Sequence, residues 1–247
     1  MGRLNHPGKR LKAPEELAHA AGFRLIAGVD EAGRGPWAGP VVAAAVVLPA
    51  RLVFARAGGG RQDLGVRIDD SKRLTARERT RACEAILRFA DVGIGIVCAE
   101  EIDERNILQA SLLAMCRAIH DLPKTPDLVL VDGPAAPSVR IPCWPLVHGD
   151  QHSYVIGCAS IVAKVLRDRL MAFYHTLFPR YAFNRHKGYG TPLHTKRLTR
   201  WGPSLLHRLS FRPVKDTLIH PASLHEPSVR ERPPALAFSR LAASASP

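Results

Sequence analysis

Three apolar runs in this 247-residue chain end in aspartate: Leu-Ile-Ala-Gly-Val-Asp30, Leu-Val-Leu-Val-Asp132 and Pro-Leu-Val-His-Gly-Asp150, and Glu31 follows Asp30 at once. Open α/β sheets bind ligands beyond the carboxyl ends of their strands, so the three aspartates converge if those strands are neighbours. In a regular strand Glu31 faces the opposite side, but the turn Gly33-Arg34-Gly35 begins directly after it and can swing it toward the same cleft. Two carboxylates about 4 Å apart repel by about 4 kcal/mol at an effective dielectric of ~20, so four together call for a cation. Oxygen-only ligands select hard dications, one or two Mg²⁺ or Mn²⁺. Such ions permit phosphodiester hydrolysis without a side-chain nucleophile. A single strand-terminal aspartate more often caps the next turn; three, one with an adjacent glutamate, point to a metal site.

The charge balance agrees with a phosphate-bearing partner. The chain carries a formal +13, and the three basic and three acidic residues from 216 onward cancel, so the excess belongs to residues 1–215. Residues 178–215 hold nine Lys or Arg and no Asp or Glu, interleaved with Tyr181, Phe183, Tyr189, Trp201 and Phe211, a pattern that reads as a surface tracking a nucleic-acid backbone. The five cysteines have no C-x-x-C spacing, so neither a zinc site nor a disulfide framework is indicated and a reducing cytoplasm is expected. No apolar run reaches the ~18 residues of a membrane span.

Those residues need a scaffold. Short apolar runs alternate with amphipathic ones, which predicts an α/β domain with strands at 24–29, 41–48, 92–98, 128–131 and 146–148. Thr75-Ala-Arg-Glu78 is a capping box opening a helix that buries Cys83, Ile86, Leu87 and Ala90. Further helices are predicted at 103–120, with Leu108, Leu112, Met115 and Ile119 inward, and at 155–177. A short one runs from Thr191-Pro192 to Gly202-Pro203. The organisation is then an N-terminal extension (1–21), a catalytic domain (22–215) and a Pro/Ser/Ala-rich tail (216–247) expected to be disordered. Residues 57–67 form a Gly-rich insertion with no assigned role.

The segment Gly28-Val-Asp-Glu-Ala-Gly-Arg-Gly-Pro-Trp-Ala-Gly-Pro40 resembles the signature of ribonuclease HII. The similarity continues through Asp70-Ser-Lys-Arg-Leu74, Asn106-Ile-Leu108, Val131-Asp-Gly133, Ala159-Ser-Ile-Val-Ala-Lys164, Arg167-Asp168 and His186-Lys-Gly-Tyr-Gly190, and covers about residues 22–215. The resemblance implies a ribonuclease H-like fold, a mixed five-stranded sheet flanked by helices with a helical C-terminal part. It implies that Asp30, Glu31, Asp132 and Asp150 are catalytic metal ligands. It also implies hydrolysis of the RNA strand of RNA/DNA hybrids, and incision 5′ to single ribonucleotides in duplex DNA that leaves 3′-hydroxyl and 5′-phosphate ends.

An enzyme acting on RNA within DNA must sense a 2′-hydroxyl. Glycines let the main chain approach a sugar, so Gly33-Arg34-Gly35 is the expected sensor, and the resemblance gives this turn that role. Tyr189 resembles the family tyrosine that packs on the neighbouring deoxyribose. Ser71, Lys72 and Lys187 are expected to contact the phosphate backbone. Asp168, between two arginines on a helix, reads as a structural ion pair. The position before Gly149, commonly Lys in the family, is His148 here, which makes any charge there pH-dependent. Only about 20 residues precede the first strand, whereas the related ribonuclease HIII carries an added N-terminal domain. A monomer is expected. The alternatives are another nuclease of the same fold, which needs no 2′-hydroxyl sensor, and a non-catalytic basic nucleic-acid-binding protein, which needs no carboxylate set.

Overall fold

The computed structural model describes residues 13–54, 64–69 and 71–219. Asp70 and most of the 57–67 insertion therefore lie outside the described residues, as does the tail from 220. In chain order the elements are α1 (Pro14–Ala20), β1 (Ile26–Ala32), β2 (Val41–Val47), α2 (Ala50–Phe54), α3 (Ala76–Phe89), β3 (Asp91–Val97), α4 (Ala99–Arg105), α5 (Ile107–His120), β4 (Leu128–Asp132), β5 (Cys143–Leu146), α6 (Gly149–His152), α7 (Tyr154–Leu177), a 3₁₀ turn (Pro179–Tyr181), α8 (Phe183–His186), α9 (Pro192–Trp201) and α10 (Arg212–Ile219). The five strands form one mixed sheet in the order β3-β2-β1-β4-β5. β1, β4 and β5 run parallel, and β2 and β3 are antiparallel to their neighbours.

Strand alternation sorts the core into two layers. Ile26, Ala44, Val46, Leu128 and Leu130 face α7 and α3, where Val155, Ile156, Ala159, Val162, Ala82 and Ile86 cover them. Ala27, Val29, Ala43, Ala45, Val129 and Val131 face α5 through Ala110, Ala114, Met115 and Ala118. Both faces are buried, so the central strands read as near-continuous apolar runs. A third cluster, Ala38, Met171, Tyr181 and Phe183, joins the turn after β1 to the C-terminal helices.

Helix starts follow local chemistry. The Thr75 hydroxyl accepts from Glu78 N–H while the Glu78 carboxylate accepts from Thr75 N–H, closing the expected box on α3. Thr191 caps α9, and Gly202 ends it with a positive φ.

Several expectations need correction. The helix predicted over 103–120 is two helices, broken at Asn106, which sits at φ 70° and caps α5 by accepting from Leu108 and Gln109 N–H. That break turns Leu108 outward, and Leu87 is likewise on the surface of α3. The last strand is Cys143–Leu146 rather than 146–148. α10 carries regular structure to Ile219, past the boundary drawn at 215. The extension before residue 22 contributes α1, whose buried Glu15 accepts from the Ser153 hydroxyl (2.8 Å) and Val155 N–H (3.1 Å) at the start of α7. α1 is thus packed into the domain, and a carboxylate at a helix N-terminus is favourably placed.

Candidate active site

β1 and β4 are paired in parallel through Val29↔Val131, so Asp30 and Asp132 are the next residues along two adjacent strands, on the face toward α7. β1 continues through Ala32, still paired with β2, so the turn does not swing Glu31 around. Glu31 stays in the strand, and it feels the charge of Asp132 because both stand at the sheet's end. Asp150 is not at a strand end: β5 stops at Leu146, and Asp150 lies in the one-turn helix α6, with its N–H directed at Asp132 Oδ1 at 3.4 Å. The sequence-predicted carboxylates thus gather at one edge of the sheet, from two strands and a short helix.

This edge is electrostatically under-compensated. Burial first, then the charges of Glu31 and Asp132, hold the Asp30 carboxyl well above the usual range, against hydrogen bonds from Ser160 and Glu31 N–H that pull it down. Glu31 is also raised, by burial and by Asp132, although Arg34 lies 3.3 Å away. Among the described residues no three His, Cys, Asp or Glu side chains are drawn close enough to enclose a metal ion. The donor chemistry still fits a hard dication: the donors are oxygen only, and two of them carry a repulsion that a cation would relieve.

The turn after β1 is held from beneath by two fully buried arginines. Arg208 donates to the carbonyls of Gly33 (2.6 Å), Arg34 (2.9 Å) and Gly39 (3.0 and 2.9 Å). Arg167 donates to Pro40 O, Lys187 O and Ala38 O at 3.0–3.2 Å. Burial lowers Arg208 to about 9 and Arg167 to about 10, so both remain cationic near neutrality. Gly33 is at φ 103°, and a Cβ there would meet Arg167 Nε at 2.1 Å, so only glycine admits the guanidinium. Main-chain bonds complete the clamp: Trp37 N–H to Gly188 O, Gly39 N–H to Leu206 O and Arg208 N–H to Trp37 O. Sequence reasoning missed Arg208, because an arginine in a basic segment reads as surface.

The C-terminal helices bring Tyr189 to this turn. Gly188, at φ 87°, lies so close to Ala38 that a Cβ would come within 2.2 Å of its carbonyl oxygen. The Tyr189 ring is 43% exposed, with Lys164 Nζ and the Arg167 guanidinium 5.8 and 5.9 Å from its centre. A Cβ built on Gly35 would stand 4.0 Å from that ring, so the turn and the tyrosine are direct neighbours. Lys72 is exposed, and Lys187 donates to Asn184 O at 2.7 Å. Ser71 is buried, its hydroxyl 3.1 Å from that of Ser160, which in turn bonds Asp30. Its side chain is linked through Ser160 to Asp30. Tyr181 and Phe183 are core residues and Trp201 and Phe211 are partly buried against the core, so Tyr189 is the exposed aromatic of this segment. Asp168 does form an ion pair, with Lys164 at 2.7 Å rather than with its arginine neighbours. His148 and His152 are both exposed.

Comparison with known proteins meets this geometry from outside. The sequence profile described as Ribonuclease HII matches residues 27–214. Ribonuclease HII of Chloroflexus aggregans is 48% identical over 205 residues, 83% of this chain and 94% of its own length. The ribonuclease H2 structure from Pyrococcus horikoshii superposes with a TM-score of 0.64 at 23% identity, covering 78% of this chain and 96% of that one. Bst-RNase HIII in complex with Mn²⁺ gives a TM-score of 0.60 at 18% identity, covering 83% and 72%. The sheet is therefore that of the ribonuclease H fold, and the chain belongs to the ribonuclease HII family, endonucleases with ribonuclease H activity on RNA/DNA hybrids.

Proposed function

We propose that this endonuclease is metal-dependent and cuts 5′ to single ribonucleotides embedded in duplex DNA as well as within RNA/DNA hybrids, leaving 3′-hydroxyl and 5′-phosphate ends, and so clears ribonucleotides from DNA. The observation that carries this reading is one of adjacency. The clamped Gly33-Arg34-Gly35 turn follows directly on the β1 carboxylates Asp30 and Glu31, and a Cβ on its Gly35 would stand 4.0 Å from the exposed Tyr189 ring. Asp30, Glu31, Asp132 and Asp150 would hold one or two Mg²⁺ or Mn²⁺ ions, which when bound supply an activated water and a counter-charge for the departing 3′-oxygen. The fold relative that holds Mn²⁺ supports such a site.

The remaining residues bind and orient. With the carbonyls of Gly33 and Arg34 turned into Arg208, the 33–35 main chain is held rigid beside the reacting phosphate, where it can test for a 2′-hydroxyl. Tyr189 packs against the next sugar, and a deoxyribose there marks the junction. Lys72, Lys187 and Arg34 meet phosphates and carry no base information. We place the enzyme as a monomer in a reducing cytoplasm, in keeping with five free cysteines and no described helix able to cross a membrane.

The test is to incubate the protein with Mg²⁺ or Mn²⁺ and duplex DNA bearing one ribonucleotide, then map the product ends. Incision on the 5′ side that vanishes with a chelator is expected, and its absence overturns the proposal. Tyr189→Ala is expected to lose more activity on that duplex than on a long hybrid; equal losses contradict the junction role.

A further inference from the structure

Three histidines lie buried behind Tyr189, and their contacts fix their protonation. Ser204 N–H donates to His207 Nδ1 at 2.9 Å, so that nitrogen carries a lone pair and the proton of neutral His207 is on Nε2. His207 Nε2 is 3.1 Å from His194 Nε2, which must therefore accept, and this leaves the His194 proton on Nδ1, 3.0 Å from the Tyr189 carbonyl oxygen. The third ring, His186, stacks on His194 with centroids 4.3 Å apart, and its own main-chain carbonyl accepts from Tyr189 N–H. One directed chain, Ser204 to His207 to His194, thus ends on the main chain of Tyr189.

We propose that His194 and His207 are positioning residues for Tyr189, setting the place of its ring across from Gly35 and so the preference for a ribonucleotide–deoxyribonucleotide junction. The inference rests on the reading of Tyr189 given above. The ring is partly exposed and meets two cations at almost 6 Å, so its location is inherited from its main chain. That main chain is held on the amide side by His186 O and on the carbonyl side by His194 Nδ1–H and Thr191 N–H. Burial pushes His194 down to about 4 and His207 to about 3, which keeps the chain in its neutral form near neutrality. Aliphatic side chains would fill this space without the desolvation cost of imidazoles, so a directional role accounts for what packing does not.

The experiment is a double-mutant cycle on the full chain, reading the ratio of incision at a single ribonucleotide to incision of a long RNA/DNA hybrid. His194→Leu is expected to lower that ratio about tenfold, and His194→Asn, whose amide can replace the Nδ1 donor, to restore it to within threefold of wild type. In a Tyr189→Ala background His194→Leu is expected to change the ratio less than twofold. If Tyr189→Ala lowers the ratio and His194→Leu does not, the inference is overturned while the reading of Tyr189 stands. If Tyr189→Ala leaves the ratio unchanged, that reading falls and the inference with it. Should the His194 variants not fold, long-range ¹H–¹⁵N spectra of the wild-type imidazoles decide: Nδ1–H on His194 and Nε2–H on His207 at pH 7 support the chain, and the other tautomer or a cation at either ring overturns it.

Discussion

Buried charge is handled in opposite ways at the two ends of the 30–40 segment. At its start, Asp30 and Glu31 share the end of the sheet with Asp132; burial and the charges of Glu31 and Asp132 raise the Asp30 carboxyl, and burial and Asp132 raise that of Glu31. Beneath the turn, Arg208 and Arg167 are buried just as deeply, yet each has its donors spent on main-chain carbonyls. The first region is left short of partners and the second is complete. An incomplete cluster costs stability and binds a ligand; a complete one holds geometry and binds nothing further.

The sharpest way to separate the two is by substitution. Asp30→Asn is expected to cut incision by at least about a thousandfold, roughly 4 kcal/mol of barrier, while the melting temperature stays level or rises by a few degrees. The folded pKa of Asp30 lies above its unfolded one, so its contribution to stability is full below the unfolded value and is lost as pH rises through the folded value. At neutral pH the neutral amide removes that cost; a clear drop in melting temperature would contradict the comparison.

Acid acts with the opposite sign on the buried histidines of the C-terminal part. His194 and His207 have folded values of about 4 and 3, below the ordinary imidazole range, so the unfolded chain takes up protons first as pH falls. Stability contributed by these rings is full above about pH 6.5 and is lost as pH falls from there through about 4 for His194 and about 3 for His207, on the order of several kcal/mol for the pair. Melting curves across that range on wild type and His207→Gln test this, because the variant should show the shallower decline. Arg208→Met, which strands the carbonyls of Gly33, Arg34 and Gly39, is expected to cost about 3 kcal/mol, or roughly 6–12 °C in melting temperature. A change under 2 °C would mean the clamp is not needed. The smallest expected effect is that of the ion itself: Mn²⁺ at about a hundred times its dissociation constant should stabilise wild type by about 2.7 kcal/mol and Asp30→Asn by much less.

What the sequence discloses divides along the same line. Asp30 and Asp132 are legible because an apolar run that stops at a carboxylate is a local pattern, and the Thr75 and Thr191 caps are legible because a hydroxyl and an N–H a few residues apart suffice. The clamp is not, since Arg208 and the histidines are types usually found at the surface and nothing in residues 178–215 shows which of its polar groups face inward. The contact of Ser71 with Ser160 is hidden for the same reason, because the two are 89 residues apart. Asn106 could have been read, as an asparagine able to take a positive φ inside a helical pattern, but the apolar spacing on either side continues through it.

The Arg208 clamp spans most of the chain, reaching Gly33 and Arg34 across 175 and 174 residues. Closing a loop of that size costs about 4–5 kcal/mol in chain entropy, which local contacts cannot offset in advance. As the polypeptide is made, Asp30, Glu31, Asp132 and Asp150 all emerge before the residue that steadies the turn between them and the substrate. A product truncated between residues 151 and 207 carries all four carboxylates and lacks the arginine of the clamp, so the turn gains its buried support only when the last part of the domain has been made.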